Sequence, residues 1–198
     1  GAVNAVFTTA PELQKELAPL NAGTHLFGNV ADAQHFGRAR SQELLRPSDL
    51  PAIQGPCLIF IGAIDAYKLD LAMLEALIAS TPQWTYVLIG PVGPPGPSPD
   101  VEPLASYPHV HLLGPRPYAE LPAYLASADV ALLPLQLNDY TRHMYPMKFF
   151  EYLAAGCPVV ATAIPSLLDQ GDVATLCPPD ATAFQQSIAA VLKGDVPA

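Results

Sequence analysis

Short apolar runs alternate with helix-period patterns from one end of this 198-residue chain to the other, and that alternation leaves few folds open. The run Cys57 to Ile61 (CLIFI) has no polar residue to turn outward, so it reads as a strand covered on both faces. Helical spacing follows: Leu69, Met73 and Leu77 recur every four residues up to about Ala79. Strands of this kind separated by helices predict an α/β fold with a parallel sheet between two helical layers.

Five more strands are predicted after Cys57 to Ile61: Trp84 to Ile89, Val110 to Leu113, Val130 to Leu133, Pro158 to Ala161 and Val173 to Leu176. Leu121, Tyr124, Leu125 and Ala128 mark the helix after the third strand. Pro146 and Gly156 bracket the next helix, and Phe184, Ile188, Val191 and Leu192 lie on a last one. Six prolines between Pro91 and Pro103 forbid regular ladders and predict a polyproline-like surface loop. About six strands with intervening helices make a doubly wound, Rossmann-like sheet. Its ligand crevice is expected at the carboxyl ends of the strands, where strand order reverses.

Upstream, Val3 to Thr8 and His25 to Gly28 read as two further strands around a short helix carrying Leu13 and Leu17, opened by a capping box of Thr9 and Glu12. Between them and the sheet the chain turns polar and proline-bounded, with Arg38, Arg40, Glu43, Arg46, Pro47, Asp49 and Pro51. The expected division is therefore residues 1–37, a connection at 38–56 and a main domain at 57–198. The chain starts at Gly1 without a charged stretch leading into an apolar block, so no targeting signal is read and a piece of a longer protein is expected.

Composition removes several classes. Apolar residues make up 51% and charged ones 14%, against about 25% charged in ordinary proteins, so a solvating disordered chain is excluded. A net charge of −9 lacks the basic face that a nucleic-acid binder needs. Cys57, Cys157 and Cys177 stand far apart without a CxxC pair, which indicates neither a zinc site nor a disulfide framework and fits a reducing, cytoplasmic compartment. The longest uncharged run, Tyr152 to Leu168, is broken by Gly156, Pro158 and Pro165 and cannot form a spanning helix.

The informative stretch is Asn138 to Gly156, which follows the fourth strand and leads into a helix aimed at the crevice. Neither Met144 nor Tyr145 is a capping residue, so the amides of Met147 and Lys148 are expected to stay open. Such a terminus favours an anion by roughly 0.3 to 2 kcal/mol, and Lys148 adds a full charge. Glu151, one turn on, could accept hydrogen bonds from two ribose hydroxyls. Each feature also has a plain alternative: a solvated helix start for Lys148, an exposed helical glutamate for Glu151, and structural histidines for His143, His109 and His111.

Taken together, Pro146, Lys148 and Glu151-Tyr152-Leu153-Ala154-Ala155-Gly156 followed by Pro158-Val159-Val160 resemble the signature of retaining, two-domain GT-B glycosyltransferases of the group 1 (family 4) type. Cys57 to Gly62 with Lys68, the Gly90-Pro91 turn, the Gly114 turn, and Ser127 to Val130 with Pro134 fall in family order, so the resemblance covers about 140 residues. Gly28 to Asp32 with Phe36 looks like the end of the family's amino-terminal domain, which makes residues 1–37 its last strand-helix-strand.

The resemblance implies a nucleoside diphosphate sugar as donor, with no cofactor and no metal, and hexosyl transfer with retention to a glycan or lipid-linked acceptor in polysaccharide biosynthesis. Donor-site residues are then Gly62, Lys68, Gly90, Arg116, Pro117, Asn138, Thr141, Met147, Lys148 and Glu151. His143 stands where the family has a glutamate facing the transferred sugar; it joins Lys148 and Glu151 as a catalytic candidate, with Asn138 and Thr141 as alternatives for that contact. The family's arginine after the first strand is absent, since Ala63 and Ile64 follow Gly62. The missing amino-terminal domain would hold the acceptor and peripheral membrane association would belong to the full-length enzyme, so the piece alone is expected to bind donor without transfer. An epimerase on the same fold and a nucleotide-binding or interaction module without catalysis stay open.

Overall fold

The computed structural model describes residues 3–41, 44–93 and 101–195. Two strands, β1 (Val6–Thr8) and β2 (Thr24–Leu26), pair in parallel around α1 (Pro11–Leu17). Then α2 (Ala33–Gly37) and a 3₁₀ turn at Arg38–Arg40 lead toward a six-stranded sheet. That sheet contains β3 (Cys57–Ile61), β4 (Thr85–Ile89), β5 (Val110–Gly114), β6 (Val130–Leu133), β7 (Val159–Thr162) and β8 (Thr175–Cys177). Its strands are all parallel, in the order β5-β4-β3-β6-β7-β8. This is the doubly wound arrangement, and order reverses between β3 and β6.

Every residue of β3, β4, β6 and β7 is buried, as their largely apolar sequences require, with Thr85 and Thr162 the polar exceptions at the ends of β4 and β7. The covering helices are α3 (Leu71–Ser80), α4 (Glu102–Ala105), α5 (Leu121–Leu125), α6 (Asp139–Arg142), α7 (Met147–Ala155) and α8 (Ala181–Lys193). Asp70 and Asp180 cap α3 and α8 by accepting from Met73 N and Ala183 N. Gly156 ends α7 at φ +74°.

Some expectations change. The capping box of Thr9 and Glu12 does not form: Ala10 is the N-cap of α1, no side chain caps it, and Pro11 supplies the preset φ instead. Within Pro91 to Pro103, Pro103 opens the helical turn α4 rather than continuing a loop, while the prolines at 94, 95, 97 and 99, like Glu43 of the connection, lie outside the described residues. Phe36 and Leu50 are buried in the same core as the six-stranded sheet. Arg40 donates to Leu153 O at 3.0 Å, placing a cation on the carboxyl end of α7.

Candidate functional site

Beyond the carboxyl ends of β3 and β6 the chain continues into opposite halves of the sheet. Two backbone bonds tie those continuations together, Asp70 N to Pro134 O and Gln136 N to Lys68 O, both 2.9 Å. Between them lies a cavity of about 280 Å³ with Gly62, Lys68, Tyr140, Met144, Met147 and Lys148 on its walls. Ile61 and Leu133, the last residues of β3 and β6, reach its base.

Helix α7 enters this cavity by its amino terminus. Pro146 is the N-cap and makes no side-chain cap bond, and only Phe149 N finds an acceptor, Pro146 O at 3.2 Å. Among the described residues nothing accepts from the amides of Met147 and Lys148, the two the sequence singled out. Tyr152 fixes the helix: its buried hydroxyl accepts from Ile61 N at 2.8 Å and donates to Ile61 O at 3.2 Å. Burial is the first cause that pushes this phenol well above the usual tyrosine range, so it stays a neutral donor and acceptor.

Glu151 is 4% exposed, and its Oε2 accepts from Lys148 Nζ at 2.5 Å. The carboxylate stands behind the lysine rather than on the cavity wall. Its charge also reaches Tyr118, whose phenol is pushed up first by burial, then by Glu151 and Asp32. Tyr118 follows Arg116 and Pro117 and stacks on His35 at 4.5 Å.

The remaining predicted residues divide. Lys68 and Gly62 join Met147 and Lys148 at the cavity. Lys68 Nζ lies 3.8 Å from Asp65 and 5.9 Å from the centre of the Tyr140 ring. Gly90 does not line the cavity; it packs against the Gly62 carbonyl. Arg116 turns away, with Nε donating to Asp49 at 2.6 Å and to the Tyr124 hydroxyl at 3.0 Å. Pro117 begins a 3₁₀ turn at Tyr118–Glu120. Asn138 and the fully buried Thr141 form a reciprocal capping box on α6, with Thr141 also donating to Gln136 O. Their polar atoms are engaged in holding that loop, which their spacing, Asn followed three positions later by Thr, could have signalled.

His143 differs from what was expected of it. Its Nδ1 lies 2.6 Å from Asp139 O and its Nε2 2.8 Å from Glu16 Oε1. A carbonyl and a carboxylate only accept, so the ring satisfies both as an imidazolium, and no N–H is left for a sugar. Glu16 first, then the Asp139 carbonyl, push its pKa up. His143 lines a second cavity, of about 570 Å³, between the amino-terminal segment and the sheet domain. Tyr67, Tyr140 and Met144 on its wall were not singled out from sequence, because an isolated tyrosine or methionine carries no spacing signal.

Against known families, residues 55–194 match the model described as "Glycosyl transferases group 1". The chain belongs to the group 1 glycosyl transferases. The Bacillus subtilis (strain 168) protein TuaH, named for a glycosyltransferase of teichuronic acid biosynthesis, is 32% identical over 157 residues, covering 78% of this group 1 chain and 38% of TuaH. Sucrose-phosphate synthase from Thermosynechococcus elongatus superposes with a TM-score of 0.69 at 23% identity, over 97% of this chain and 50% of that one. Anabaena HepE, solved with UDP and glucose, superposes at 0.66 and 16% identity, over 98% and 54%. These likenesses establish the GT-B-type fold, and the chain spans about half the length of the solved structures or less of its curated relative. Among the described residues, no helix is long and apolar enough to cross a membrane, and no group of three or more His, Cys, Asp or Glu is gathered as metal ligands.

Proposed function

We propose that the cavity at the β3/β6 reversal takes the diphosphate of a nucleoside diphosphate sugar, and that residues 57–198 are the donor-binding part of a retaining hexosyltransferase. The observation that carries this reading is the amino terminus of α7, where the amides of Met147 and Lys148 have no acceptor, at a small cavity also lined by the Lys148 and Lys68 side chains, whose ammonium groups lie beside Glu151 and Asp65. As the glycosidic C–O bond breaks, its electron pair passes to the leaving diphosphate, and the acceptor oxygen forms the new C–O bond as its proton passes to an oxygen of that diphosphate. Donors fixed where that charge develops lower the barrier, and removal of one such group costs about 3 kcal/mol of transition-state stabilisation. Charge on the diphosphate is met by the chain's own cations and amides in this reading, with no metal or cofactor assigned. Glu151 is the ribose acceptor.

The acceptor, a glycan or lipid-linked sugar of polysaccharide assembly, belongs to the rest of a longer cytoplasmic protein, whose amino-terminal domain ends with residues 1–37 and joins through 38–56. HepE was solved with UDP and glucose, which makes UDP the first nucleotide to test. Calorimetric titration with UDP, GDP and ADP, then with their sugar conjugates, tests the reading. One nucleoside diphosphate should bind well above the others, and silence from all of them would remove the donor site. The engagement of both His143 nitrogens favours a second reading, nucleotide binding without transfer. Absence of transfer by the full-length protein despite donor binding would decide for it.

A further inference from the structure

Strand pairing does not end evenly on the two sides of β3. With β4 it runs to the last residue of both strands, Ile61 opposite Ile89, whereas with β6 the rungs stop at Ile59 opposite Ala131. Gly62 N bonds to Ile89 O on the β4 side, so Ile61, one residue earlier, turns its N–H and C=O toward β6. One more rung in that register would bring the nitrogen of Pro134 to Ile61 O, and a proline nitrogen has no proton to donate. The sheet therefore leaves one donor and one acceptor of Ile61 without strand partners at the base of the donor cavity.

Tyr152 meets both. Its hydroxyl, on a side chain with no exposed surface, accepts from Ile61 N at 2.8 Å and donates to Ile61 O at 3.2 Å. A hydroxyl can do this with one atom, whereas a carboxylate only accepts and an ammonium only donates. Tyr152 belongs to α7, whose open amides are those of Met147 and Lys148, and Ile61 precedes Gly62 on the cavity wall. The two bonds thus join the helix that enters the cavity to the strand end across from it.

We propose that the Tyr152 hydroxyl is a positioning group for donor binding: it takes the place of the missing rung and sets where the Met147 and Lys148 amides stand relative to Gly62 and Lys68. The inference rests on the donor reading above, because it takes those amides to hold the diphosphate. Without the hydroxyl, two buried backbone groups lose their partners, and they regain them only if water enters or α7 shifts against β3. Either change moves the amides off the diphosphate oxygens. The loss is therefore shared by every ligand that carries a diphosphate, with or without a ribose.

Tyr152→Phe keeps the ring and removes the hydroxyl. Tyr86→Phe is its control, since Tyr86 is equally buried, lies off the cavity, and has its hydroxyl 2.6 Å from Thr81 Oγ1. Both variants should lower the urea midpoint. In calorimetry on samples shown by circular dichroism to be fully folded, Tyr152→Phe should weaken pyrophosphate and UDP by the same factor, about tenfold, and Tyr86→Phe should weaken neither. Unchanged affinity in Tyr152→Phe, or an equal loss in Tyr86→Phe, would overturn the positioning role while the donor site stands. If Tyr152→Phe does not fold, the unaltered chain decides: on adding pyrophosphate, the nitrogen-15 NMR signal of the Ile61 amide should shift along with those of Met147 and Lys148, and an Ile61 signal that stays still would refute the role. If neither ligand binds the unaltered chain, the donor reading falls and the positioning role falls with it.

Discussion

Lys148 Nζ lies 2.5 Å from Glu151 Oε2 within the first turns of α7, yet the two side chains differ in burial: 29% of the lysine side chain is exposed and 5% of the glutamate. That asymmetry sets the cost of removing either one. Without Glu151 the ammonium can turn toward the cavity and water. Without Lys148 a buried carboxylate is left unpaired, which costs about 3 to 5 kcal/mol in comparable buried pairs. Lys148→Met should therefore lower the urea midpoint clearly more than Glu151→Gln does.

The same pair separates two halves of donor recognition. Pyrophosphate carries only the anionic part of a nucleoside diphosphate, so Glu151→Gln should bind it at least as well as the unaltered chain, because Lys148 is released. UDP, which adds the ribose, should weaken about tenfold, or 1.4 kcal/mol. Parallel calorimetry with the two ligands checks this, and equal losses for both would remove Glu151 from the ribose.

Two glycines at the ends of neighbouring strands, Gly90 just past β4 and Gly114 the last residue of β5, should respond very differently to the same methyl group. At Gly90, φ is +144° and an added Cβ would fall 1.9 Å from the Gly62 carbonyl oxygen. Backbone sits on both sides of that contact, so the strand ends must separate where the donor cavity begins. Gly114 also has a positive φ, +71°, but nothing lies within 4 Å of its Cβ position. Gly114→Ala should cost about 1 kcal/mol for the left-handed backbone alone, and Gly90→Ala more than 4 kcal/mol or fail to fold. Thermal melts of the two variants provide the comparison.

The sheet was legible because its evidence is local. Cys57 to Ile61 and Val130 to Leu133 have no polar residue to mislead, and the structure starts and stops those strands at the same residues. The open amides at Met147 and Lys148 were legible for a similar reason: the residues before Pro146 offer no cap. Contacts between distant segments left no trace in the sequence. Nothing around Arg116 announces that Asp49, in the connection, will take its guanidinium, and nothing around His143 announces Glu16. A resemblance places a residue in a motif, but the partner that decides where its side chain turns comes from another element.

Burial makes a prediction about the thiols. It pushes Cys57 and Cys157 up to about 12 and Cys177 to about 11, and all three are buried in the core. The thiolate is the reactive form, so at about pH 8 the folded chain should resist alkylation until denaturant opens it. Mass spectrometry after iodoacetamide treatment, with and without urea, should show no adduct and three adducts respectively. Labelling of a single cysteine in the native chain would mark a local opening that the packing does not show.

His143 joins the amino-terminal segment to the sheet domain, and its charge makes that junction depend on pH. Glu16, Glu12 and Lys15 come from α1, and Asp139 and Arg142 from α6; Glu16 and the Asp139 carbonyl raise the histidine pKa, and Arg142 opposes them. A pKa raised in the folded state means that the folded chain holds the proton more tightly than the unfolded one. The added stability is therefore complete below about pH 6.5, the ordinary histidine value, and is lost as pH rises through the higher folded value. Above it, one ring nitrogen faces an acceptor without a proton and the link from α1 to α6 loosens. Melting temperature should fall over that window in the unaltered chain and stay flatter in Glu16→Gln, whose neutral amide cannot favour the imidazolium. Proton NMR of the His143 ring should show a midpoint above 6.5 that moves down in Glu16→Gln. A midpoint at or below 6.5 in the unaltered chain would mean that the two segments are held by other contacts, such as the 2.5 Å bond from Asn29 Nδ2 to Tyr145 O.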